Sequence, residues 1–276
     1  MDFGHARWRL ILTPPARGAW NMALDEAILE AVGRGEALPT LRLFAWQPPC
    51  LSLGYAQPFA DISRPALLSL GWDLTRRPTG GRAILHTDEL TYSVIAPLHE
   101  PRVAGSILES YRRLSQALVR SLQLLGLPAR ADERYDLPPG SDPKGAICFE
   151  VPSNYEITAN NKKLIGSAQA RRRDGVLQHG SLPLWGDLTR ITWALTFPDE
   201  NARQEAAGRL LQRAATAESI LGRRISWKQA ADAFQRGFSE ALDIEFAEMP
   251  PSPGELTRAE ELAQTRYGHP DWVERI

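Results

Sequence analysis

A chain of 276 residues, 43% hydrophobic and 24% charged, can bury a full core in one large domain or a main domain with a small appendage, and its formal charge of -1 excludes a global field for nucleic acid. Two cysteines do not make a disulfide framework, and the opening MDFGHARWRLILTPP has neither a long apolar region nor a small-residue cleavage site. No run approaches membrane-spanning length, so the expected compartment is the cytoplasm, with thiols reduced, and a charged partner must dock on a local patch.

Arg7 to Leu12 predicts a short strand, and Asn21 is expected to cap a helix reaching about Val32, with Leu24, Ile28, Ala31 and Val32 as its buried stripe. Leu41 to Trp46 and Leu51 to Gly54 read as strands separated by Gln47-Pro48-Pro49, which continues neither ladder. Asp73 to Arg77 and Ala83 to Ala96 supply further strands, broken by reversals at Thr79-Gly80-Gly81 and His86-Thr87-Asp88. Ser106 with Glu109 fits a capping box, and Ile107, Tyr111, Leu114, Leu118, Leu122 and Leu125 keep helical spacing until Gly126, predicting a helix packed across the sheet. Ala131 to Gly145 is polar and rich in proline, glycine and aspartate, the composition of a mobile surface loop leading into Cys148.

Beyond it, Tyr155 to Thr158 and Lys163 to Arg172 predict a hairpin around Asn160-Asn161, and Asp174-Gly175 turns the chain into Val176 to Gly180. Ser226 with Gln229 opens a helix carrying Trp227, Ala230, Phe234, Phe238 and Leu242, and Thr257 with Glu260 is expected to open another near Leu262. Strands precede helices without strict alternation, so the expected class is α+β, with mixed, largely antiparallel sheets packed with helices. Residues 1–250 are expected to form the main domain and 251–276 a helical tail packed on it.

The segment from Cys148 to Gly180 carries the chemistry. It sets a thiol and Lys163 on adjoining stretches of expected antiparallel sheet. Thiolate is the nucleophilic form, and at a pKa of about 8.5 only a few per cent is ionised at pH 7, so a nearby ammonium raises the reactive fraction. Cys50, after two prolines and before a strand, has no cationic neighbour in sequence and reads as a small core residue. Arg171 to Arg173 form the one dense basic run; a solvated face is its simplest reading, docking of an acidic partner the other.

Three blocks in one order, RRPTGGRAILHTDELTYSV (Arg76 to Val94), Cys148-Phe149-Glu150, and KLIGSAQARRRDGVLQHGSLPL (Lys163 to Leu184), resemble the lipoate and octanoate attachment family, which shares its fold with biotin protein ligases. The likeness extends to Asn21 to Glu26, Leu51 to Tyr55, Trp227 to Phe238, and an ending in Tyr267-Gly268 and Trp272, and so covers most of the chain. Within the family the chain looks most like the cysteine-dependent octanoyltransferases.

That resemblance implies octanoyl transfer from octanoyl-acyl carrier protein to a lysine of glycine cleavage H protein or of a lipoyl domain, with no cofactor; no metal, nucleic acid or membrane is expected, and the chain is expected to act as a monomer. It implies Cys148 as the acyl-accepting nucleophile and Lys163 as the matching lysine, acting electrostatically on thiolate and oxyanion. Arg77, Thr79, Gly80, Gly81, His86, Ser167, Ala168 and Gln169 then line the substrate site. His179 is expected to be structural or pocket-lining.

The rival is an ATP-dependent lipoate or octanoate ligase of the same family. Against it stand Arg82 where ligases commonly carry a third glycine, and the short sequence after Leu242, although a ligase with its accessory part on a separate chain escapes the second objection. Other readings keep the cysteine but draw octanoate from a loaded H protein, or reduce the chain to a non-catalytic acyl or nucleic-acid binding module.

Overall fold

The computed structural model describes residues 4–132, 146–147 and 156–276. Its strands along the chain are β1 (Ala6–Leu12), β2 (Thr40–Phe44), β3 (Cys50–Leu53), β4 (Asp73–Arg76), β5 (Ile84–His86), β6 (Glu89–Ala96), β7 (Ala129–Asp132), β8 (Glu156–Ala159), β9 (Lys162–Arg172), β10 (Gly175–Pro183) and β11 (Ile244–Glu248). The larger sheet has eight strands in the order β11-β1-β2-β6-β10-β9-β8-β7, and a three-stranded sheet runs β4-β3-β5. Pairing is parallel for β11-β1-β2 and antiparallel from β2 onward, the mixed α+β arrangement that the sequence pattern implies.

Neighbouring side chains on a strand point to opposite faces, and the large sheet buries both. Leu41, Leu43, Tyr92, Val94 and Val176 join one core with Leu114, Leu118, Phe234 and Phe238. Phe44, Ile95 and Leu177 join another with Met22, Leu24, Ile28, Leu262 and Tyr267. A third cluster, built on Leu51, Leu53, Ile84 and Ile191, stabilises the small sheet.

The helices are α1 (Gly18–Gly33), α2 (Arg64–Leu70), α3 (Ile107–Leu124), α4 (Glu200–Arg213), α5 (Ala217–Leu221), α6 (Trp227–Leu242), α7 (Pro253–Leu262) and α8 (Pro270–Val273). The capping boxes expected at Ser106 and Ser226 open α3 and α6. These helices pack mainly on each other, and Ile107 at the start of α3 is exposed rather than part of the buried stripe.

Two expected helix starts are corrected. Arg17 is the first flanking residue of α1, and Asn21 lies inside the helix, buried, where its amide donates to the carbonyls of Ala16 and Ala45. Helix α1 is buried nearly all round, so no single stripe describes it. Ser252 with Glu255, not Thr257 with Glu260, forms the box that opens α7. Ala131 and Asp132, expected in a loop, end strand β7, while 133–145 of that expected loop lie outside the described residues.

The hairpin joining β8 to β9 turns at Asn160 (φ 50°) and Asn161 (φ 59°), the left-handed pair that a two-residue reversal requires. Lys163 is thereby set opposite Thr158. Gly54 lies so close to Gly81 that an added Cβ would meet the Gly81 carbonyl oxygen at 1.9 Å, which fixes the loop after β3 against the Thr79–Gly81 turn.

Candidate active site

A cleft of about 980 Å³ opens between the two sheets. One wall is the loops of the small sheet, Tyr55 to Gln57 and Pro78 to Arg82; the other is β9, from Lys163 through Ser167, Ala168 and Gln169 to Arg172. Thr79, Gly80, Gly81, Lys163, Ser167, Ala168 and Gln169 from the sequence-based site therefore share one cavity. Arg77 and His86 do not reach it; they line a narrower apolar pocket behind Ser167 and Ala168, together with Met22, Trp46 and Ile84. Cys148 lies outside the described residues.

Lys163 is buried, and its Nζ donates to Glu156 Oε1 at 2.6 Å. Glu156 is buried too, so each charge compensates a group that would otherwise be costly to desolvate. The hairpin brings the pair together: Glu156 stands two residues before Thr158, the register partner of Lys163, with an irregularity of the ladder between Ile157 and Thr158. Ala215 N donates to the Lys163 carbonyl, fixing the backbone. Sequence reasoning missed Glu156, although period-two counting back from the Asn-Asn turn puts it on the lysine's face.

The opposite wall is held by a polar chain. Thr79 Oγ1 lies 2.6 Å from His179 Nε2, and His179 Nδ1 lies 3.8 Å from Asp25 Oδ2. Burial lowers the pKa of His179, only partly offset by the Asp25 carboxylate, so the imidazole is neutral near pH 7. Burial pushes Asp25 up, but Arg42, His179 and Ser93 outweigh it and hold the carboxyl below its usual range. His179 thus contacts the Thr79 turn and lines the inner pocket.

Arg77 is a brace. Its guanidinium donates to the Ser52, Gly80 and Arg82 carbonyls and to Ser52 Oγ, tying β3 to the glycine turn. Gly81 has φ 92°, which a side chain would strain, whereas a Cβ at Gly80 would meet nothing within 4 Å. His86 stacks on Trp46 at 4.0 Å and bonds Ser52 and Glu89, which closes the inner pocket. That pocket has about 20 Å³ of open volume, room for roughly one water. A medium alkyl chain enters it only if these walls move.

Tyr92 ties the floor together. Its hydroxyl lies 2.8 Å from Ser167 Oγ and accepts from Gln178, while Gln169 donates to Gln178 and to Ser110 on α3. Burial pushes the Tyr92 phenol up to about 12, so it stays neutral. Cys50 is fully buried, and burial together with Asp73 and Glu89 pushes its thiol up, consistent with an inert core residue. Among the described residues no cluster of His, Cys, Asp and Glu suits a metal ion, and no helix is long and apolar enough to cross a membrane.

The model of the lipoyl protein ligase A/B catalytic domain matches residues 17–239, which span every strand of the cleft. The chain belongs to that family. It is similar to the octanoyltransferase LipM of Kyrpidia tusciae, at 41% identity over 96% of this chain and 97% of the relative. LipM of Brevibacillus brevis is 38% identical over 96% of this chain and 98% of its own. Among solved structures, the bi-partite lipoate protein ligase of Thermoplasma acidophilum superposes with a TM-score of 0.81 at 28% identity, over 98% of this chain and 97% of that one. The chain is an acyltransferase with the catalytic fold of the lipoate ligases. Arg266 and Trp272 contribute to the cleft and its surroundings from beyond the family match.

Proposed function

We propose that the protein moves an octanoyl group from octanoyl-acyl carrier protein to a specific lysine of glycine cleavage H protein or a lipoyl domain, through a thioester on Cys148, in lipoate biosynthesis. The observation that carries this reading is Lys163, buried in a pair with Glu156 and lining a large cleft, in a chain whose relatives over nearly its whole length are named octanoyltransferases. Chain connectivity supports it. Ile147, one peptide before Cys148, bridges to Ala83, two residues past Gly81, and Glu156 resumes the described chain beside Lys163.

In the first step the Cys148 thiolate attacks the carbonyl carbon of the donor thioester, the carbon–sulfur bond to the carrier breaks, and the carrier thiolate takes up a proton. In the second, the neutral amine of the acceptor lysine attacks the enzyme thioester, the bond to the Cys148 sulfur breaks, and the new amide nitrogen gives up a proton. Lys163 favours the thiolate and the oxyanion of each tetrahedral intermediate, and Glu156 holds it in place. A thioester is already activated, so ATP has no part.

The likeness to a bi-partite ligase makes an ATP-dependent ligase the rival. Incubation with octanoyl-acyl carrier protein and an apo carrier, without ATP, is expected to octanoylate the carrier. Modification that appears only with ATP and free octanoate would replace this reading with the ligase.

A further inference from the structure

The chain as a whole carries a formal charge of -1, yet Arg82, Arg171, Arg172, Arg266 and Lys163 line the large cleft, and no aspartate or glutamate stands among its described lining residues. Such a concentration of one sign in a concave site selects an anion. The arginines come from three distant parts of the chain: the glycine turn, β9, and the segment after α7.

Two of them are fixed side by side. Glu26 Oε1, on buried α1, accepts from both Arg172 and Arg266, while Glu26 Oε2 accepts from the Tyr267 hydroxyl. One carboxylate neutralises one guanidinium, so the bracket keeps a net positive charge. Arg266 also lies over the Trp272 ring at 4.0 Å, which limits its freedom. Arg171 donates to the Val103 carbonyl and Gln169 Oε1, so it too is held. Planar guanidinium forks held in advance bind phosphate oxygens with little further loss of side-chain entropy.

We propose that Arg172 and Arg266, bracketed on Glu26 and assisted by Arg82 and Arg171, form a phosphate-ester subsite of the cleft, filled by the phosphate of the pantetheine arm that presents the acyl thioester. The proposal rests on the thioester-transfer reading above. A nucleotide offers the same phosphate chemistry and is the alternative source.

The test compares octanoyl-pantetheine with octanoyl-4′-phosphopantetheine as donors to an apo carrier, with octanoyl-acyl carrier protein as reference. The wild-type protein is expected to use the phosphorylated donor about tenfold better in kcat/KM. That ratio should fall towards one in Arg172→Gln, and in part in Arg82→Gln, which leaves the Glu26 bracket intact and guards against a folding defect in the first variant. Equal use of both donors by the wild type, with no competition from ATP, overturns the subsite while leaving the transferase standing, as does an undiminished ratio in both variants. If the donors are used equally but ATP competes in the wild type and not in Arg172→Gln, the nucleotide is the source and the pantetheine assignment falls. No transfer from any thioester, the reference included, overturns the transferase reading and this proposal with it.

Discussion

Two buried ion pairs, nearly identical in geometry, sit at different depths relative to the cleft. Arg42 meets Asp25 at 2.7 Å and Lys163 meets Glu156 at 2.6 Å, with each side chain at most 5% exposed. What surrounds them differs. Arg42 also donates to Asn21 and Thr13, and Asp25 accepts from Ser93, so this pair joins α1, β2 and β6 inside the protein. Lys163 lines the cleft. Burial and pairing show where a charge is retained against its desolvation cost; access to a cavity decides whether it serves chemistry or only structure.

The largest effect is expected at Arg42. Arg42→Met leaves the Asp25 carboxylate buried and unpaired, and is expected to lower unfolding stability by about 3–5 kcal/mol, read from denaturant midpoints. The molecules that remain folded should turn over within a few-fold of the wild type. Lys163 should behave in the opposite way. In Lys163→Met combined with Glu156→Gln both charges go, so stability should stay within about 1–2 kcal/mol of wild type while transfer falls about 10²–10³-fold. A double variant that keeps its rate would make this pair as structural as the other.

A smaller effect concerns His179. Its folded pKa is lowered by burial, so between the folded value and about 6.5 the unfolded chain binds the extra proton and stability falls as pH falls. Asp25 has a depressed pKa and adds its own loss only below about pH 4. Thermal scans are expected to show a drop of about 2–4 °C between pH 7 and 5.5, reduced in His179→Asn. An identical drop in the variant would remove His179 as the cause.

Local signals in the sequence carried well where the physics is local. The Asn160-Asn161 reversal, the boxes at Ser106 and Ser226, and the strands around His86-Thr87-Asp88 all lie where the pattern puts them. Strand β11 was not legible: Ile244–Glu248 is short, and only its parallel pairing with distant β1 makes it a strand. Helix α1 starts early because tertiary contacts bury Asn21, overriding its preference for a cap.

The site divides in the same way. Motif residues Thr79, Gly81, Lys163 and Ser167 meet in one cleft, but the apolar inner pocket takes Arg77 and His86 away from it. Glu26 and Arg266 are 240 residues apart in sequence, so no periodicity links them. The basic run that composition alone gives to solvent divides between the cleft, which takes Arg171 and Arg172, and the exposed Arg173.

Whether the acyl group passes through the enzyme is read from an intact-mass spectrum taken after brief exposure to octanoyl-acyl carrier protein without ATP. The thioester mechanism predicts one octanoyl group on the wild-type protein, mapped to Cys148, lost in Cys148→Ser and formed much more slowly in Lys163→Met. An unmodified enzyme that nonetheless octanoylates its carrier, or an octanoyl group mapped elsewhere, would contradict it.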